Sequence, residues 1–241
     1  MKPILALQHV AHEALGLIEE SLQAAGLEVR LVDIRRGELE SFDPADWSGL
    51  VVMGGPMNVD ETDEYPFLAE EIRWLQAAVA AQLPVLGVCL GAQLLAKSLG
   101  AKVYPNRIDG KKTKEIGWYD VQFTPDGLSD PLFAGLDPTS RTFQWHGDTF
   151  DLPAGAALLA TAPTCRHQAF RYGPSAYGLQ FHWEATRELL AIWLKQPDMN
   201  PDLCGIPELD PQEIARRIPD ELPKTQAAAR QVFGRWAKLC R

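Results

Sequence analysis

Apolar positions along the first half of the chain recur in two alternating rhythms. "ILALQHV" (4–10) is a short, mostly apolar run and reads as a strand. "HEALGLIEESLQAAG" (12–26) places Leu15, Ile18, Leu22 and Ala25 at helical spacing and stops on Gly26. "EVRLVDI" (28–34) alternates apolar and charged residues, as a half-buried strand does. "GLVVMGG" (49–55) and "PVLGVC" (84–89) show no such alternation, which suits parallel strands covered on both faces. Between them "PFLAEEIRWLQAAVAAQ" (66–82) predicts a long helix with Pro66 in its first turn, and "LGAQLLAKSLG" (90–100) one ending on Gly100. This β-α-β-α-β order predicts an α/β fold: an open, mostly parallel sheet with helices on both faces. Ligand sites in such sheets lie at the carboxyl ends of the strands, where "GGP" (54–56) and Cys89 both fall.

The second half changes character. "GWYDVQFT", "RTFQWHGD", "AALLATA", "QAFRYG" and "AYGLQFH" read as short strands between Pro and Gly turns, extending the sheet in antiparallel fashion. From about Ala185 the pattern turns helical. Residues 196–210 are Pro-rich and loop-like, and 211–241 predict one or two helices broken at Pro219 and Pro223. The expected division is a main domain over 1–195 and a helical C-terminal appendage, 196–241, packed on it.

Composition narrows the function classes. With 241 residues, 46% of them hydrophobic, the chain can bury a sizeable core and is not a disordered chain. No apolar run reaches the roughly 18 residues of a membrane span, and the N-terminus reads as a first strand with no cleavage site. The net charge of −9 and the lack of a basic block argue against nucleic acid as a partner; "DGKKTKEIG" reads as a solvated loop. The four cysteines, Cys89, Cys165, Cys204 and Cys240, show neither C-x-x-C nor metal-ligand spacing. A cytoplasmic protein with no metal and no cofactor is the expectation. The H-x-x-H-E order of His9, His12 and Glu13 matches no zinc hydrolase pattern; the segment near His12 could instead face a pocket.

Three segments carry candidate chemistry. "GVCLG" (87–91) fits G-x-Nuc-x-G, a nucleophile on a tight strand-to-helix turn where glycines keep Cβ atoms out of the way. The helix from Leu90 would aim its positive end at the Cys89 thiol and depress its pKa, and the Leu90 N–H could face an oxyanion. The competing reading is an inert core thiol. "LQFHWE" (179–184) ends an apolar strand in His182. In extended chain Glu184 would point the same way and could orient the imidazole. A surface His and Glu at a strand end is the plainer alternative. "GLVVMGGP" ends a strand in Gly54 and Gly55, which either let a backbone N–H approach a ligand or form an ordinary turn. Gln93, one helical turn beyond Cys89, could face the same pocket or be an exposed helix residue.

Together, "GGP", "GVCLGAQ" and "LQFHWE", in that order, resemble a class I glutamine amidotransferase domain of the Cys-His-Glu type. The stretches "GGPMNVDETDEYPFL", "KEIGWYDV" and "WHGDTFDLPAGA" resemble the stand-alone, GMP-synthase-like members, and the resemblance covers roughly 3–190. It implies a flavodoxin-like fold and hydrolysis of the side-chain amide of L-glutamine to glutamate and ammonia. Carried over by position, it implies that Cys89 attacks the amide carbon, His182 moves the protons and Glu184 holds His182. The N–H groups of Gly55 and Leu90 would bind the oxyanion of a γ-glutamyl thioester intermediate. Gly54, Met57, Gln93, Trp145, Gly147 and Asp148 would contact the substrate, with His146 a satisfied strand histidine. Two departures stand out. Trp183 replaces the family's proline in "FHPE", and could shape the pocket or an interface. Nothing after residue 190 resembles the ATP site of a synthetase, so the ammonia would go to a separate synthetase partner. A γ-glutamyl peptide hydrolase with the same triad, or a non-catalytic regulatory relative, are the alternatives.

Overall fold

A computed structural model of the chain describes residues 2–37, 39, 41–195 and 210–240. The first half runs β1 (Ile4–Gln8), α1 (Leu17–Ala24), β2 (Val29–Asp33), β3 (Gly49–Val52), α2 (Phe67–Ala80), β4 (Val85–Val88) and α3 (Leu90–Ser98). The second half adds β5 (Val103–Pro105), β6 (Arg107–Ile108), β7 (Lys111–Lys112), β8 (Glu115–Phe123), α4 (Pro125–Ser129), β9 (Thr139–His146), β10 (Asp148–Phe150), β11 (Ala157–Thr161), β12 (Ala169–Tyr172) and β13 (Ala176–Leu179). Helices α5 (Arg187–Trp193) and α6 (Pro211–Leu239) follow.

Nine of these strands form one sheet in the order β2-β1-β3-β4-β13-β12-β11-β8-β9. Pairing is parallel from β2 across to β13 and antiparallel from β13 outward to β9. Alternation along β1 divides the core. Ile4 and Ala6 face an apolar cluster with Leu17, Ile18 and Leu22 of α1 and Phe233 and Trp236 of α6. Leu5 and Leu7 face the opposite cluster, with Leu68, Trp74 and Leu75 of α2 and Leu94 and Leu95 of α3. Helices therefore cover both faces of the parallel half, as the unalternating runs in β3 and β4 require.

Two local expectations are corrected. The helix expected over 12–26 begins at Leu17. Gly16 takes φ 50°, the Leu17 N–H donates to the Glu184 carbonyl, and residues 11–16 are left as a loop beside the strand ends. The break expected at Pro219 and Pro223 does not occur, since α6 runs through both. The prolines are four apart and exposed, so the carbonyls their missing N–H groups release, at Ala215 and Pro219, lie on the wet side of the helix. The N-terminal half of α6 buries Ile214, Ile218 and Leu222 against α5, β8 and β9. Its C-terminal half enters the central core through Val232, Phe233 and Trp236. The loop expected over 196–210 falls, but for its last residue, outside the described residues. No described helix is long and apolar enough to cross a membrane.

Candidate active site

Four parallel neighbours, β1, β3, β4 and β13, run out at the same edge of the sheet, and the chemistry gathers there. Cys89 is the residue after β4 and caps α3 with φ 51° and ψ −108°, backbone that a side chain rarely adopts. Two glycines make the turn possible. A Cβ on Gly87 would run into the Gly91 carbonyl, and one on Gly91 into the Val52 carbonyl of the neighbouring strand. Leu90 is the first residue of α3, so its N–H has no acceptor within the helix and is free to serve a ligand.

The Cys89 N–H donates to the Leu179 carbonyl at 2.8 Å, tying the turn to the end of β13. Three residues further on stands His182. The strand stops at Leu179, so His182 and Glu184 lie in the loop beyond it rather than on the extended chain that "LQFHWE" suggested. Tertiary bonds hold that loop instead: His182 N–H donates to Phe143 O at 2.8 Å, and Glu184 O accepts from Leu17. The His182 Nδ1–H donates to Glu184 Oε1 at 2.7 Å, leaving the other nitrogen to hydrogen-bond Cys89. Trp193 crosses the imidazole edge-on, 4.9 Å between ring centres.

All three groups are buried, and burial governs their proton affinities. It pushes the Cys89 thiol up, against the pull of His182. The depression expected from the helix end is thus reversed in the empty site. Burial also works against an imidazolium at His182, but the negative groups Glu184 and Cys89 outweigh it and hold its pKa well above the usual histidine range. The proton shared by sulfur and imidazole therefore stays within the pair.

Cys89 opens into a cavity of about 250 Å³. Of the residues singled out from sequence, Gly55, Met57, Gln93, Trp145, Gly147 and Asp148 line it with Cys89. Gly54 lies one step behind the wall, and His182 and Glu184 sit beneath the sulfur. Gln93 is 5% exposed, which excludes the exposed-helix reading; its amide donates to Gln180 Oε1 at 3.2 Å and to Asp148 O at 3.4 Å. The Trp145 carbonyl lies 3.7 Å from Cys89 Sγ. His146 is held on both sides, by Asp148 O and Glu115 at 2.8 Å each, as a satisfied strand histidine is.

Sequence reasoning missed several wall residues. Glu13, Asn58, Glu61 and Lys114 also line the cavity, together with His12, whose segment was placed near a pocket. Lys114 belongs to the stretch read as a solvated loop; Lys111 and Lys112 are exposed in the β6–β7 hairpin as expected, but Lys114 stands at the pocket. These residues come from loops after unrelated strands, and no local spacing marks them. Trp183 is neither pocket nor interface. It is fully buried among Phe123, Phe133 and Phe181, with its indole N–H on Arg141 O at 3.2 Å.

A second Cys, His and Glu group, Glu115, His146 and Cys165, is the one cluster of metal-ligating type among the described residues. Each member already has hydrogen-bond partners: Glu115 takes His146, Thr164 and Gln168, and Cys165 meets Thr149 at 3.2 Å. Burial raises the Cys165 thiol to about 11, and Cys165 does not line the cavity. The group braces the segment carrying Trp145 to Asp148, whereas Cys89 faces the pocket.

Residues 12–190 match the family model described as "Glutamine amidotransferase class-I". The chain belongs to the class I glutamine amidotransferase family. It is accordingly an amidotransferase enzyme, of the kind that hydrolyses the glutamine amide and transfers the ammonia. It is 32% identical to the glutamine amidotransferase-like protein YfeJ of Salmonella typhimurium over 183 residues, 75% of this chain and 74% of that one. The glutamine-hydrolysing GMP synthase of Tolumonas auensis is 30% identical over 161 residues, and the match spans 64% of this chain but 28% of that synthase. The crystal structure of a glutamine amidotransferase from Thermotoga maritima superimposes with a TM-score of 0.85 at 33% identity, covering 98% of both chains.

Proposed function

We propose that the protein hydrolyses the side-chain amide of L-glutamine through a γ-glutamyl thioester on Cys89 and releases ammonia to a separate acceptor enzyme. The observation that carries this reading is the buried chain of hydrogen bonds from Glu184 through His182 to a cysteine that opens into a small cavity. Cys89 Sγ attacks the amide carbon while His182 takes the thiol proton. The carbonyl oxygen gains charge, received by the N–H groups of Gly55 and Leu90. His182 then gives its proton to the nitrogen as the C–N bond breaks and ammonia leaves. Water, deprotonated by His182, adds to the thioester, and the thiol reforms as glutamate departs. Glu184 fixes the tautomer and supports the imidazolium throughout.

The remaining walls suit the amino-acid end of the substrate. Backbone groups of Trp145, Gly147 and Asp148, with the Gln93 amide, would receive its α-amino and α-carboxylate groups, and Gly54 and Met57 would flank the side chain. The cavity lies below the roughly 300–1,000 Å³ of pockets for drug-sized ligands, which favours a single amino acid over a γ-glutamyl peptide. A separate acceptor is supported by the Tolumonas synthase, which this chain matches over only part of its length. The division into a main unit, 1–195, and a C-terminal helical segment belongs to the same proposal.

Ammonia release from L-glutamine by the purified protein, measured beside release from γ-glutamyl peptides, tests the reading. Glutaminase turnover that falls by roughly 10⁴- to 10⁶-fold in Cys89→Ser is expected. Robust peptide cleavage without glutamine hydrolysis would replace L-glutamine as the substrate. Undiminished turnover in Cys89→Ser would end the mechanism.

A further inference from the structure

His9 follows β1 and is fully buried. Both of its ring nitrogens face acceptors: Nδ1 lies 2.9 Å from the Gly54 carbonyl, and Nε2 lies 2.9 Å from Glu71 Oε2 on α2. A nitrogen that meets a carbonyl oxygen must carry a hydrogen, so Nδ1 is a fixed donor whatever the proton balance with Glu71. Burial opposes charge on this ring, but Glu71 and the Gly54 carbonyl more than offset it, and its proton is held more tightly than usual. Glu71 is itself wholly buried, so the pair is sealed from water and cannot rotate freely.

The carbonyl that His9 grips belongs to the peptide between Gly54 and Gly55. That peptide is trans, so its N–H points opposite to its C=O. Anchoring Gly54 O on the β1 side turns the Gly55 N–H the other way, and Gly55 is part of the cavity wall beside Cys89. The space behind the peptide is full. A Cβ on Gly55 would come within 2.9 Å of Leu90 Cδ2 and 3.0 Å of His9 Cβ. Two glycines in sequence resist a peptide flip poorly, because each tolerates either sign of φ. Without a lock, the loop could present a carbonyl to the oxyanion instead of a donor.

We infer that His9, backed by Glu71, is a positioning residue that locks the Gly54–Gly55 peptide with its N–H aimed at the oxyanion of the reaction. This rests on the proposed Cys89 chemistry for its consequence in rate, though the peptide lock itself does not.

Three variants separate the lock from mere occupancy of the core. In His9→Leu no donor reaches Gly54. In His9→Asn the side-chain amide nitrogen falls near the place of Nδ1 and can still donate to Gly54 O. In His9→Gln it falls near Nε2 and serves Glu71 instead. The expected order of kcat for L-glutamine hydrolysis is wild type, then Asn, with Gln and Leu about tenfold to a hundredfold below wild type. KM is expected to stay within about twofold, because an oxyanion donor acts on the transition state more than on bound substrate. Amide NMR supplies a readout that needs no turnover: the Gly55 N–H resonance shifts or broadens in the Gln and Leu variants and keeps its position in Asn. Equal kcat in folded Asn and Gln variants would overturn the lock, as would an unmoved Gly55 resonance in either folded Gln or Leu. A wild-type protein inactive on every γ-glutamyl substrate would overturn the reaction instead, leaving the NMR comparison to judge the lock.

Discussion

The backbone N–H of Cys89 donates to the carbonyl of Leu179, and this one bond brings the ends of two parallel strands into register at the site. β4 and β13 are neighbours, with Val88 opposite Leu179. Each strand therefore delivers its reactive residue within a few positions of the same edge: Cys89 at once, and His182 three residues later. The sheet order, not proximity in sequence, makes the pair.

Glu184 acts on the imidazole and not on the substrate, so its loss is expected to be graded. Glu184→Gln keeps the shape and removes the charge that raises His182. The pKa of His182 should fall, because the imidazolium loses its partner, and the limb of the pH–rate profile that reports His182 should move to lower pH. Turnover should drop by roughly 10²- to 10⁴-fold, less than in Cys89→Ser. Steady-state kinetics from pH 5 to 10 would show both; a limb that stays in place would remove His182 and Glu184 from the role given them.

The raised Cys89 thiol predicts the course of alkylation. A thiol with a raised pKa forms thiolate only as pH climbs, so iodoacetamide labelling of the empty enzyme should still be rising past about pH 8.5, the ordinary thiol value. Cys89 should nevertheless react before Cys165 and Cys240, whose thiols are raised to about 11 and about 12 and lie outside the cavity. Mass spectrometry of timed digests measures this. A plateau below pH 7 would mean that the thiolate is already formed in the resting site.

Gly91→Ala is expected to cost stability as well as activity. The added Cβ meets a backbone carbonyl of β3, not a flexible side chain, so strand or helix must shift. Overpacking of this kind costs about 1–3 kcal/mol. Urea denaturation reads the loss, and a midpoint equal to that of the wild type would show that the elbow tolerates the methyl group.

Trp183→Ala should behave as a core deletion, destabilising by about 3–5 kcal/mol. The ring packs among three phenylalanines with its N–H satisfied, well away from the cavity. Folded variant at low temperature should retain a KM near that of the wild type. A large rise in KM without loss of stability would return Trp183 to the pocket.

What the sequence disclosed and what it hid divide along a physical line. Apolar runs without alternation marked β3 and β4 because burial on both faces leaves no other pattern. The glycines at 87 and 91 marked the elbow because the turn tolerates little else. The start of α1 was hidden, since Leu15 sits at helical spacing while a distant carbonyl at Glu184 decides that the helix begins two residues later. Trp183 was misplaced because its neighbours in sequence, His182 and Glu184, serve the site while its own side chain turns into the core. His9 and Glu71 could not be paired from sequence: one ends a strand, the other lies mid-helix, and only the layering of α2 over β1 joins them. The continuous α6 depended on which face of the helix its prolines occupy.

The φ of 51° at Cys89 has a further meaning. Only glycine reaches such backbone freely, and other residues held there cost of order 1–3 kcal/mol. The turn at position 89 would thus be less strained with a glycine, which has no sulfur to offer. Its tolerance of a side chain depends on Gly87, Gly91 and the bond to Leu179, which hold the turn from outside. A screen that selects for heat resistance alone should therefore drift toward Cys89→Gly, giving up the reactive sulfur for a relaxed turn.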